Sequence, residues 1–234
     1  MKKKMLTNNL PGAFTLTELL VVMAVMALLA GMLLPALRKA RDLARGIGCI
    51  NNLKNLGQAV HLYVNDTDGW LPMVTPGAVG ALGSRENVWM LNDVLMRNIG
   101  VNRVYSSGKW TSSNNNRLIC PLDKAPYEWT YYDVKTSYAA NINMGSGFLS
   151  PPYARRMEQF SQPGAVCWGG EIRENHYFNE SMVAASTQIP YLHNNGMNIL
   201  YLDAHVGWVA NPMPCYQGGW KPSTADSRIF WRGE

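Results

Sequence analysis

The chain begins with two hydrophobic patterns laid end to end. Residues 19–34 are sixteen positions without a charge, and the apolar stretch widens to residues 14–37. As a helix those 24 residues extend roughly 36 Å at about 1.5 Å per residue, enough to cross a hydrocarbon core of about 30 Å. The pattern then changes without stopping. Leu37, Ala40, Ala44, Ile47, Ile50, Leu53, Leu56, Val60 and Tyr63 recur at spacings of three and four, the mark of an amphipathic helix packing on a domain. Arg38, Lys39, Asp42, Arg45, Asn52, Lys54, Asn55 and His61 fall largely between them. Pro35 should kink or loosen this helix, and Gly46, Gly48 and Gly57 weaken it. The turn formers of "NDTDGWLP" end it near Val64. The pattern thus predicts one helix over residues 14–64, roughly 76 Å long at about 1.5 Å per residue.

From Trp70 onward the period shortens. "TSYAANINMGSG", "AVCWGGEI" and "NILYLDAHVGWVA" carry β-branched and aromatic residues between Gly, Asn and Pro breaks and read as strands. "RLICPLD" reads as a strand running into a Pro turn, "YSSGKWTSSNNN" as an exposed loop, and residues 84–100 as holding a short helix. Residues 198–202 and 206–209 form a β-hairpin about Asp203, Ala204 and His205, because an Asp side chain bonds the backbone two residues on. There is no internal repeat and no low-complexity tract.

Composition sharpens this picture. Charged residues are 16%, below the usual quarter, and Asn, Gly, Ser, Trp and Tyr fill the difference. That suits loop-rich β structure, and about 170 residues beyond the helix suffice for a core. The net charge of +5 does not mark a nucleic-acid binder. Lys2, Lys3 and Lys4 precede the apolar run, and Arg38, Lys39, Arg41 and Arg45 follow it, where lipid headgroups would lie. Without the leader, Lys+Arg falls from 21 to 18 against 16 acids. No basic stripe remains, so no nucleic acid is expected as a partner. The cysteines, 49, 120, 167 and 215, show no CxxC and no zinc spacing. In an exported domain four cysteines allow two disulfides, with three possible pairings. Cys49–Cys120, pinning helix to sheet, and Cys167–Cys215 are the candidate pairs.

One residue contradicts a plain anchor. Glu18 stands near the start of the apolar run, where a carboxylate costs roughly 2.5–3.5 kcal/mol at the centre of a membrane helix. Such residues usually mark a functional contact. An ordinary signal peptide does not fit either, because the far end, "LLPALRKARDLAR", is basic and continues as helix. The segment "AFTLTELLVVMAVMALLAGMLLPALRKAR" closely resembles the type IV prepilin signature: a short basic leader, a small residue, then F-T-L-x-E and an apolar helix. The resemblance implies cleavage between Ala13 and Phe14 by a prepilin peptidase, methylation of the new amino terminus, and Glu18 as the fifth residue of the mature chain. Family members usually carry Gly before the cut, whereas this chain has Ala13 there and Gly12 one place earlier. It further implies that the Phe14 α-amine, with a pKa of about 7.7–8.0, pairs with Glu18 of a neighbouring subunit and so sets register as a buried polar group does in a coiled coil.

Three further elements resemble a group of prepilin-like proteins. "CINNLKNLG" and "CPLD" are two of them. The third is a C-terminal His followed after nine residues by Asp-Gly, present here as His193, nine residues, Asp203 and then Ala204. If that Gly sits at positive φ, Ala costs roughly 1 kcal/mol. His193, Asp203 and His205 have the ligand types for a metal, and Asp66 and Asp68 beside Gly69 form part of a calcium loop. The simpler readings are a pinned hairpin and a helix-terminating turn, and no metal or cofactor is expected. Glu171, Glu174 and His176 are possible acids or bases, but no G-x-S-x-G, H-E-x-x-H or phosphate loop accompanies them, and no catalytic residue or enzyme activity is expected.

The resulting expectation is an α+β, pilin-like or pseudopilin-like protein. Its parts are a leader (1–13), a transmembrane half-helix (14–37), an amphipathic half-helix (38–66) and an exported head with a small antiparallel sheet (67–234). The implied partners are prepilin peptidase, copies of itself or other pilin-like subunits, the secretion or pilus assembly machinery, and membrane lipid before assembly. The implied location is the inner membrane as a single-pass protein, head outside the cytoplasm, and then a periplasmic or cell-surface filament. A membrane-anchored domain that binds sugars or peptides through its Trp and Tyr residues is the alternative.

Overall fold

The computed structural model describes residues 14–74, 88–106, 109–113, 115–129, 133–146, 153–171, 177–178, 191–210 and 232–233. The chain divides into two compact units at Leu43/Ala44. One helix, α1 (Leu16–Asp66), supplies all the described structure of the first unit and enters the second. It is continuous through Pro35.

In the first unit every described residue is exposed, Leu20 at 62% and Met26 at 62%. No aqueous protein leaves such a surface bare by accident. This helix is long and apolar enough to cross a membrane, and none of its apolar span is buried.

In the second unit α1 acquires a covered face. Cys49, Leu53, Leu56, Gly57, Ala59, Val60 and Val64 are buried, at the spacing that puts them on one side of the helix. The buried face starts later than the apolar stripe: Leu37 is 56% and Ile47 66% exposed. Full burial of the stripe therefore begins at Cys49, just after Gly46 and Gly48 come up against His193 and Pro121, and its earlier apolar residues stay exposed. Two polar residues of α1 bond to the domain, with Asn52 Nδ2 donating to the Ile119 carbonyl at 3.0 Å and His61 Nε2 meeting the Leu202 carbonyl at 2.8 Å.

A short helix, α2 (Asp93–Asn98), lies inside the segment where one was predicted. Asn92 caps it by accepting from Leu95 N. The expected loop at 105–116 instead contains a hairpin, β1 (Asn102–Ser106) and β2 (Lys109–Ser113), antiparallel with Val104 opposite Thr111. "RLICPLD" is not a strand. A 3-10 turn covers Asn115–Leu118 and a further turn closes with Asp123 N donating to Cys120 O. Pro121 has no N–H for a ladder, and the chain turns there.

The remaining strands are β3 (Tyr127–Trp129), β4 (Val134–Thr136), β5 (Tyr138–Asn141), β6 (Gly145–Ser146), β7 (Tyr153–Ala154), β8 (Cys167–Glu171), β9 (Tyr177–Phe178), β10 (Gly196–Tyr201) and β11 (Val206–Ala210). The main sheet has the order β11-β10-β8-β5-β9, antiparallel except for the β5–β9 pair. Its centre is buried on both faces: all five residues of β8 and the first five of β10 are inaccessible. Trp89 meets Trp168 edge to face, ring centroids 5.7 Å apart at 82°, the geometry that aligns a ring edge with a π face. The architecture is the expected α+β class, a long N-terminal helix whose second part packs with small antiparallel sheets.

Helix and hairpin approach closely at Gly57. A Cβ there would lie 2.8 Å from Leu200 Cδ1 and 3.0 Å from Ala204 Cβ. The glycine that weakens the helix in isolation is what lets it approach the β10–β11 turn.

Candidate functional site

The first region of interest is the start of α1. Thr15 precedes the first helical residue. Its amide donates to Glu18 Oε2 at 2.9 Å, its hydroxyl donates to the same oxygen at 2.7 Å, and Glu18 N donates back to Thr15 Oγ1 at 3.3 Å. This is a capping box, in which two residues three apart satisfy each other's orphan backbone donors. The helix start therefore employs Glu18 within its own chain. The signal for it, T-x-x-E ahead of an apolar run, stands in the sequence at Thr15 and Glu18. Phe14 is 70% exposed, and Ala13 lies outside the described residues.

The second region joins the hairpin to the stalk. His193 N donates to Gly196 O at 3.1 Å and Gly196 N returns a bond to His193 O at 3.0 Å, closing the turn before β10. The Trp208 indole N–H also donates to His193 O, at 2.8 Å. The His193 imidazole points to the core. Its Nε2 lies 2.8 Å from Glu171 Oε1 and 3.6 Å from Cys120 Sγ. Glu171 is wholly buried, with Oε2 accepting from Asn198 N at 3.1 Å and Oε1 accepting from Asn198 Nδ2 at 3.3 Å. A buried carboxylate is tolerable only with such partners.

Cys120 is bonded to Cys49, with Cα atoms 4.9 Å apart across 71 residues of sequence. Closing a loop of that length stabilises the fold by about 4 kcal/mol in the chain-entropy account. The expected Cys167–Cys215 bridge is not found at Cys167. That thiol is free, buried in β8 and directed at the Gly169 carbonyl 3.7 Å away; burial pushes its pKa well up. Cys215 lies outside the described residues.

Asp203 and His205 form a separate pair. Asp203 Oδ1 accepts from His205 N at 3.1 Å and meets His205 Nδ1 at 2.6 Å, while the His205 ring stacks on Tyr201, centroids 4.2 Å apart. Partial burial alone raises the Asp203 carboxyl, but the bonds and charge of His205 outweigh it and hold the group below its ordinary value. The first strand of the hairpin starts two residues earlier than expected and ends one residue earlier, at Tyr201. Ala204 stands at φ 68°, the left-handed position that glycine favours.

His193, Asp203 and His205 are therefore not one ligand set. Among the described residues the ligand types that come together are Cys49, Cys120, Glu171 and His193, the two sulfurs being joined as the disulfide. The partial calcium loop is occupied differently as well: Asp68 Oδ2 pairs with Arg156 Nη2 at 2.9 Å. Of the possible acids and bases, Glu171 is in the His193 pair, and Glu174 and His176 lie outside the described residues. The role of Glu171 as the buried partner of His193 has no local signature, because 22 residues separate them.

Residues 11–34 match the family model of the prokaryotic N-terminal methylation motif. No curated protein and no solved structure matches the chain. The match spans the capping box and most of the apolar run, and it supports a prepilin-type pilin or pseudopilin, a substrate of prepilin peptidase. The α+β architecture with its long N-terminal helix is pilin-like, and the apolar helix together with the motif points to a single-pass membrane anchor.

Proposed function

We propose that this protein is a structural subunit, cleaved before Phe14 and assembled into a type II secretion-like pseudopilus or a type IV pilus-like fibre. The observation that carries the reading is the methylation motif over residues 11–34, on a helix whose apolar span has no cover within the chain. Lipid covers that span in the membrane pool, and neighbouring copies cover it in a filament. The new α-amine of Phe14 pairs with Glu18 of the adjacent subunit, so two charges costly in an apolar medium neutralise each other. The protein is the substrate of an enzyme and a building block, and its head stays outside the cytoplasm.

Mass spectrometry of the N-terminus tests this directly. Co-expression with a prepilin peptidase should shorten the chain by thirteen residues and leave a methylated Phe14; a bulky residue at position 13 should block both. An intact Met1 under those conditions supports the anchored binding domain, and cleavage at Ala36 or beyond marks an ordinary signal peptide.

A further inference from the structure

We propose that Cys49, Cys120, Glu171 and His193 are a redox-controlled zinc site. In the dithiol state they bind one Zn²⁺, and formation of the disulfide expels it. Four ligand atoms of these residues lie within 4.8 Å of one another. All come from the second unit, from four separate places: α1, the turn after Leu118, the end of β8 and the turn before β10. Three of the residues are fully buried and the His193 side chain is 11% exposed. Two thiolates, an imidazole and a carboxylate in a closed site suit Zn²⁺ better than the oxygen-seeking cations.

One ligand spacing already matches what the ion needs, and two must open. Zn–S of about 2.3 Å and Zn–N of about 2.0–2.1 Å at tetrahedral angles set sulfur and nitrogen about 3.6 Å apart. His193 Nε2 and Cys120 Sγ already stand 3.6 Å apart. The two bonded sulfurs must separate to about 3.8 Å by the same geometry. Glu171 Oε1 and His193 Nε2, now 2.8 Å apart, must open by about half an ångström, since Zn–O is also near 2.0–2.2 Å. An outer shell is in place, with Asn198 donating to both carboxylate oxygens through its backbone and side chain. Such partners orient a ligand before the ion arrives.

The chemistry balances. Zn²⁺ binding releases the two thiol protons, and the proton held between His193 Nε2 and Glu171 Oε1 passes to His193 Nδ1, which leaves Nε2 and the carboxylate free for the metal. An external disulfide then oxidises the site: the two thiolates lose two electrons and join, the oxidant's S–S bond takes up two electrons and two protons and leaves as two thiols, and Zn²⁺ is released. Either state ties α1 to the turn that carries Cys120, so the helix-to-domain link exists before and after oxidation.

The test uses full-length protein in detergent, reduced in denaturant, then refolded anaerobically with a phosphine reductant, with and without Zn²⁺ and with Co²⁺ as a coloured substitute. The expected result is one equivalent of metal in reduced protein, a thiolate-to-Co²⁺ charge-transfer band, and none in the oxidised protein. Glu171→Gln and His193→Ala should each weaken Zn²⁺ binding by about tenfold or more, with folding followed separately by circular dichroism. If reduced protein folds only when Zn²⁺ is present, the proposal is also supported. Three outcomes overturn it: reduced, folded protein without the band, reduced protein that stays unfolded in Zn²⁺, or a metal affinity that neither variant alters, which would assign binding to the thiols alone. Equal uptake by the oxidised protein overturns it as well.

Discussion

The capping role of Glu18 and the assembly role proposed for it can be separated by a single substitution. Its carboxylate closes the capping box with Thr15, and in the proposed filament its charge meets a neighbour's amine. Glu18→Leu removes both. Losing the carboxylate's half of the box weakens the helix start by itself, so a failed assembly in that variant has two explanations. Glu18→Gln keeps a residue that closes a capping box and deletes only the charge. We expect Glu18→Gln to be inserted and cleaved normally and yet to give few filaments, measured as filament yield against the membrane pool of processed protein. Thr15→Val breaks the box, keeps the charge, and should assemble better than Glu18→Gln. Wild-type filament yield from Glu18→Gln would show that the carboxylate serves the helix start and not the neighbour.

At the scale of elements, the long helix and the C-terminal hairpin were legible because their periods are long or their turn chemistry is local. Sixteen uncharged positions and a three-four stripe leave one solution, and Asp203 names its own turn by bonding two residues on. The β1–β2 hairpin was hidden for the opposite reason. Ser, Asn, Gly and Lys carry no strand signal in this segment, and the pairing of Val104 with Thr111 is supplied by the partner strand. "RLICPLD" misleads because its apolar residues serve a turn that presents Cys120 to α1, so burial there does not imply a ladder. The His193–Glu171 contact was illegible, since only the fold brings β8 beside the turn before β10. Gly57 shows how an element boundary decides a residue: it reads as a weak helix position, whereas the Ala204 methyl and Leu200 lie where its side chain would be. We expect Gly57→Ala to destabilise the protein by about 1–3 kcal/mol through overpacking. Ala204→Gly relieves a left-handed alanine and frees space beside Gly57, so the double variant should recover part of that loss. Chemical denaturation of the single and double variants measures the coupling, and strictly additive effects would show that the two positions do not touch.

At the scale of the whole molecule, the two units differ in what completes them. The domain from Ala44 onward has a core of its own, with Trp89, Trp168 and the α1 residues Cys49, Leu53, Leu56, Ala59, Val60 and Val64 closed against water. The span before it is apolar and bare, and in the proposed function lipid or other subunits cover it. The Cys49–Cys120 bond also makes the intervening chain a covalent ring that takes in the end of α1, α2 and the β1–β2 hairpin. A protease that cuts once between β1 and β2 opens the ring without releasing either fragment. Nicked protein should run as one species on a non-reducing gel and as two after reduction, with a buried core still anchored on both sides of the cut. A chain built this way survives a broken backbone between β1 and β2 as a single tethered molecule, and a cut at that point does not part the domain from α1.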